Sequence, residues 1–353
     1  MKRVVALILV MVMTTVLVTG CGSSKKTEDE SINIMVWGGA WSEEEFNDFE
    51  AETGIKVNVS YIDNTDVLIS KLIDGNVDYD VVDIEAAYVK TFVDNELLQK
   101  IDKSDFPYQA DMVDSAKGTV GDENLEYTTP DIAPGYTTII YNKETCPIEI
   151  KSFKDLADPK LAGQVAMVNS TISLYGVALE ALGYEANSTK ESEIKEANEL
   201  LKSIKQNVKA FVGESAVSQL ESGECSVALS WDYPILCNDS KENWDKFEIA
   251  TIDTPYEKFT QYWGIPATSK KAEAAKKFIN FVMQPEELAK SYTEYGSVPL
   301  LKKEVIGEFL SDDYYENPCF AKYEEVDKNC WMVPVNDEQI ELMDIYYTEL
   351  MGE

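Results

Sequence analysis

From residue 32 almost to the C-terminus, short β-type runs alternate with helical ones, and this alternation restricts the fold more than any other feature. Residues 32–37 read as an apolar strand. Ser42 followed by Glu45 has capping-box spacing, in which a hydroxyl and a carboxylate each satisfy a free N–H at the start of a helix, here running to about residue 52. Gly54 ends that helix, and residues 55–61 alternate apolar and polar as a half-buried strand does. Thr65 opens a helix with Val67, Leu68, Leu72 and Ile73 on one side; residues 79–84 form a strand and 88–95 a helix. A second series follows. Strands are predicted at 136–141, 164–168, 226–231 and 247–252, helices at 174–182, 193–205 and 216–221, and an extended stretch at 262–266. Helices at about 271–283, 285–295 and 337–351 complete it. Strand–helix–strand units of this length imply mainly parallel sheets covered on both faces. Roughly 320 residues suffice for two cores, hence an α/β chain of two lobes with a cleft between them. A single large α/β enzyme is the structural rival.

The residues before 32 are of another kind. Lys2 and Arg3 precede an almost wholly apolar run over 4–18, closed by Thr19-Gly20-Cys21. About fifteen apolar residues suit a signal peptide and fall short of the roughly 20 that span a bilayer. Residues 1–20 are therefore expected to be removed, leaving 21–31 as a polar tether. A cysteine directly after a small residue at this point resembles the bacterial lipoprotein signal. That resemblance implies a lipid on Cys21 and a place on the extracytoplasmic face of the cell membrane.

Charge and missing residue types exclude whole classes of function. With 31 basic against 64 acidic residues the net charge is −33, which repels nucleic acid. A cationic ligand is compatible with that charge, although acidic surfaces also serve solubility alone. The absence of histidine removes imidazole triads, imidazole metal ligands and a histidine general base. No metal or cofactor is expected, and no CxxC occurs. Cys225 with Cys237 and Cys319 with Cys330 could close local disulfides outside a cell; reduced thiols are the equal alternative.

Three stretches resemble the polyamine branch of the bacterial solute-binding proteins, the family of the spermidine/putrescine receptor. The first is the strand ending at Trp37 with Phe49-Glu-Ala-Glu-Thr-Gly-Ile-Lys-Val57. The second is Tyr79-Asp-Val-Val with Leu98-Gln-Lys-Ile-Asp-Lys103, and the third runs from Ser152-Phe-Lys-Asp-Leu through Leu161-Ala-Gly163 to Ala178-Leu-Glu-Ala-Leu-Gly-Tyr184. Gly264-Ile-Pro and Ala274-Ala-Lys-Lys-Phe-Ile-Asn-Phe-Val282 extend the likeness. It implies a two-lobed, type II periplasmic-binding-protein-like fold with two β crossings, at 136–141 and 261–266. The lobes are then 32–138 with 263–310, and 139–262 with 311–353. It also implies a monomeric clamp, not an enzyme, that closes on one small solute and hands it to an ABC permease. Receptors for iron, thiamine, phosphonates and sugars share some of these segments, so the ligand is less constrained than the fold.

A polyamine requires carboxylates for its ammonium groups and aromatic faces for its methylenes. The resemblance places Trp37 in the pocket just past the first strand, with Trp41 on the following turn. Glu85 ends the strand over 79–84, and Asp131 precedes the first crossing. Ser170 and Thr171 stand at a helix start where polyamine receptors supply acids; this chain has Asn169-Ser-Thr-Ile-Ser173 instead. Hydroxyls and free N–H groups there suit an anion equally well. Trp231 and Asp232 match a family aromatic beside a polar residue. At the second crossing the family has an aromatic and an acid, where this chain has Phe259 and Gln261, with Trp263 and, further on, Tyr295 as added candidates. A linear polyamine is the first expectation; a phosphonate, thiamine, an amino-acid-like solute or a sugar are the alternatives. An extracellular hydrolase would need a nucleophile–base pair that the sequence does not display.

Overall fold

The computed structural model describes residues 31–352 except 39, 63–64, 76, 213–214, 232–245, 313 and 335; for 66, 217, 318, 319, 321 and 324 it describes the backbone alone. Cys21 and the whole N-terminal segment lie outside the described residues, as do Asp232, Cys237 and the Cys319 side chain. Among the described residues Cys146, Cys225 and Cys330 form no disulfide. No helix among the described residues is long and apolar enough to cross a membrane, and they contain no metal-holding cluster of acidic, Cys or His side chains.

Two sheets organise the chain. The first has the order β2 (Lys56–Ile62), β1 (Ser31–Trp37), β3 (Val81–Glu85), β11 (Gln261–Gly264), β4 (Thr128–Pro130). Its first three strands run parallel, and β11 runs antiparallel to both β3 and β4. The second has the order β12 (Cys330–Trp331), β10 (Tyr256–Phe259), β5 (Gly135–Asn142), β8 (Val227–Trp231), β6 (Val165–Val168), β7 (Val208–Val212), with β9 (Phe247–Ile249) also paired to β5.

The Ser42–Glu45 box caps helix α1 (Glu43–Thr53): the Ser42 N–H donates to Glu45 Oε2 at 3.0 Å. Gly54 closes α1 in the left-handed region at φ 72°, a conformation glycine adopts without a Cβ clash. Helices α2 (Thr65–Ile73) and α3 (Ala86–Asp94) complete the first parallel units. In the second lobe α4 (Thr171–Leu182), α5 (Glu191–Lys205) and α6 (Ala216–Glu221) cover the sheet. Helices α7 (Ala272–Val282) and α8 (Pro285–Tyr295) return to the first lobe, where Phe278 packs between Phe46 and Phe49 at ring distances of 5.8 and 5.4 Å. After a short α9 (Lys303–Ile306), α10 (Pro318–Val326) and α11 (Asp337–Gly352) lie on the second lobe. There Lys202 pairs with Glu349 at 2.7 Å across α5 and α11.

Strand β5 lies wholly in the second sheet, so the chain first passes between lobes at 131–134 rather than within 136–141. The second passage is at Thr260, because Gln261 and Tyr262 already pair with Glu85 and Ile84 of the first sheet. The expected lobe limits at 138 and 262 therefore fall a few residues late. The two passages are tied together: the Asp131 N–H donates to the Gln261 carbonyl at 3.2 Å, and Thr260 Oγ1 to the Ile132 carbonyl at 2.9 Å. Leu310 packs in the first-lobe core and Tyr323 in the second-lobe core, so the chain returns to the second lobe between them.

Candidate ligand cleft

A cleft of about 210 Å³ opens between the lobes, walled by the ends of β1, β3 and α8 on one side and by α4, β8, β10 and β12 on the other. Six of the residues picked from sequence line it: Trp37, Glu85, Ser170, Trp231, Gln261 and Tyr295. Each stands at the end of an element, where a side chain escapes its own sheet or helix. Glu85 is the N-cap residue of α3 yet makes no side-chain cap bond, and it pairs in register with Gln261. These two therefore form one side of the first-lobe wall. Trp37 Nε1 and Gln261 Oε1 are buried without a hydrogen-bond partner among the described residues. Buried polar atoms are normally paired, so a donor and an acceptor on this wall are open to a ligand.

Four candidates fall elsewhere. Trp263 is fully buried in the first-lobe core and packs on Trp41 at 4.7 Å, so both indoles support the wall from behind. The strand alternation explains this, since Trp263 pairs with Asp83, on the face that α1 and α7 cover. Thr171 opens α4 but is not on the cleft surface. Asp131 is fully buried behind the cleft against Asp83, and burial raises both carboxyls, Asp83 to about 7.

The cleft also contains residues that sequence reasoning missed. Glu257 on β10, Trp331 on β12, Ser173 on α4, and Met332, Ser297 and Val298 all reach it. Glu257 was legible in principle, because it stands two residues before Phe259 on the same strand face. Trp331 was not. It sits on a two-residue strand that reaches the cleft only when the C-terminal region docks on β10. Its ring fills the space over Gly176, where an added Cβ would lie 2.4 Å from the indole. Gly176→Ala must therefore push Trp331 out of its place on the wall. Overpacking of this kind costs about 1–3 kcal/mol, partly offset by the 0.5–1 kcal/mol or so that alanine gains over glycine in a helix. Thermal unfolding should show a small net loss and ligand titration a larger one; unchanged ligand affinity would show that Trp331 does not shape the site.

Known proteins similar to this chain agree with a two-lobed receptor. A spermidine/putrescine-binding periplasmic protein of Salmonella typhimurium is 28% identical over 318 residues, covering 86% of each chain. Among solved structures, a lipoprotein of Treponema pallidum aligns with a TM-score of 0.77 at 20% identity, covering 91% of this chain and 99% of that one. A periplasmic binding protein of A. tumefaciens in complex with glucopine aligns at 0.64 and 18%, with 91% and 99% covered. These structures show the fold, that of the type II periplasmic binding proteins. The match to the family model spans residues 45–321, and the chain belongs to the bacterial extracellular solute-binding proteins.

Proposed function

We propose that this chain is the receptor of an ABC importer, held to the cell surface by a lipid on Cys21, and that it captures a linear polyamine such as spermidine or putrescine. The observation that carries the reading is the composition of the cleft. Trp37, Trp231 and Tyr295 offer aromatic faces from both lobes, and Glu85 offers a carboxylate at the end of β3. Such a pairing takes methylenes on the rings and an ammonium on the acid. The Salmonella relative, by its name, binds spermidine and putrescine. Lobe closure would remove the solute from water and strengthen these contacts.

Calorimetry of the mature chain against spermidine, putrescine, amino acids, phosphonates, thiamine and sugars tests the ligand, and small-angle scattering tests the closure. Polyamine binding with compaction is expected, and Trp231→Ala should weaken it about tenfold or more. Truncating Glu85 should cost roughly 2–5 kcal/mol of binding if it meets a desolvated ammonium. Tight binding of a phosphonate or sugar with none of any amine would sink the reading.

A further inference from the structure

We infer that Glu257 is the residue that makes the second-lobe wall selective for an ammonium group. The inference rests on the polyamine reading and deepens it, for it assigns an acid on the second-lobe side of the cleft that Glu85 lines from the first.

The sheet register sets the geometry. Trp231 pairs with Thr137, Thr137 with Glu257, and Glu257 with Trp331, across four neighbouring strands. Directly paired residues project to the same face of a sheet, and neighbouring strands lie about 4.8 Å apart. Glu257 thus stands in one row between two tryptophans, one strand from Trp331 and two from Trp231, and all three line the cleft. A carboxylate bracketed by indoles is suited to an ammonium whose methylenes lie along the rings.

The carboxylate is also held in place. Its Oε2 accepts from Thr137 Oγ1 at 2.7 Å. Among the described residues it has no cationic partner. Lys258, its neighbour on the strand, is engaged by Asp327 at 2.6 Å. The position of Glu257 also bears on the rival ligand class. The start of α4, with Ser170 as cap, would suit an anion, but Ser173 in its first turn lines the same cleft as Glu257. An anionic ligand entering there would share the cleft with that carboxylate.

Burial raises the Glu257 carboxyl above its ordinary range, and an ammonium beside it would lower it again. Binding should therefore release a proton, and affinity should rise with pH until the free-state carboxyl is fully ionised.

The test is calorimetry of the full mature chain with putrescine and with spermidine, at several pH values and in buffers of different ionisation enthalpy. Glu257→Gln keeps the shape and the acceptor for Thr137 but removes the charge. We expect it to weaken amine binding at least tenfold and to abolish this proton release, with an unfolding temperature close to the parent's. The parent's affinity should climb with pH, and the climb should flatten in Glu257→Gln. If the parent binds an amine and Glu257→Gln binds it equally well with the same proton release, the inference is overturned while the polyamine reading stands. If the parent binds no amine, both fall together.

Discussion

Trp263→Ala is expected to lower the free energy of unfolding by about 3–5 kcal/mol, the range for deleting a buried aromatic from a packed core. Trp263 is fully enclosed, with its ring centroid 4.7 Å from that of Trp41 and 6.0 Å from that of Phe278. It joins β11 to α1 and α7, so its loss opens a void between the returning strand and both helices that cover it. The first-lobe transition should shift most. Denaturant unfolding followed by circular dichroism measures this without relying on the deleted indole. Sequence reasoning assigned Trp263 a ligand contact, and that role would produce the reverse pattern. Stability unchanged within about 1 kcal/mol together with abolished solute binding would contradict the burial argument.

The second large effect is on pH. Glu45 is fully buried; burial pushes its carboxyl up to about 8, against the pull of the hydrogen bonds from Ser291 Oγ at 2.6 Å and the Ser42 N–H. Asp83 is pushed up to about 7 by burial, and Asp131 rises with it from burial and from the facing carboxyl. In each case the folded state binds the proton more tightly than the unfolded chain, whose values are about 4–4.5. Below that range the groups are protonated in both states. Between about pH 5 and 8 the unfolded chain is already ionised while the folded one still holds these protons, so unfolding releases them and stability falls as pH rises. At about 1.4 kcal/mol for each tenfold change in proton affinity, Glu45 alone sets an upper limit of roughly 5 kcal/mol. Glu45→Gln should flatten the slope between pH 5 and 8 and be relatively most stabilising at pH 8. General repulsion from the net charge of −33 also grows with pH, but it is common to parent and variant, so the difference between them isolates Glu45. Parallel stability curves for the two proteins would refute the assignment.

By itself the sequence determined the local elements. The capping box at Ser42, the glycine stop at 54 and the apolar faces of α1, α4, α5 and α7 depend on residues a few positions apart, so short-range spacing was enough to read them. It also determined much of the first-lobe wall, because Trp37 and Glu85 sit where strands visibly end. The register of distant strands was decided only in three dimensions. Whether Gln261 or Trp263 faces the cleft depends on how β11 pairs with β3, and a one-residue slip would exchange them. Asp131 could be read as a cleft acid from its turn-like setting, but tertiary packing buried it against Asp83. The second-lobe wall was the least legible part. Glu257 and Trp331 lie 74 positions apart in number and meet only because β12 returns to pair with β10. No local periodicity encodes that return, since a two-residue strand has no pattern of its own. It forms because docking α11 on α4 and α5 buries Met343 and Leu350, and the strand is carried along with the helix.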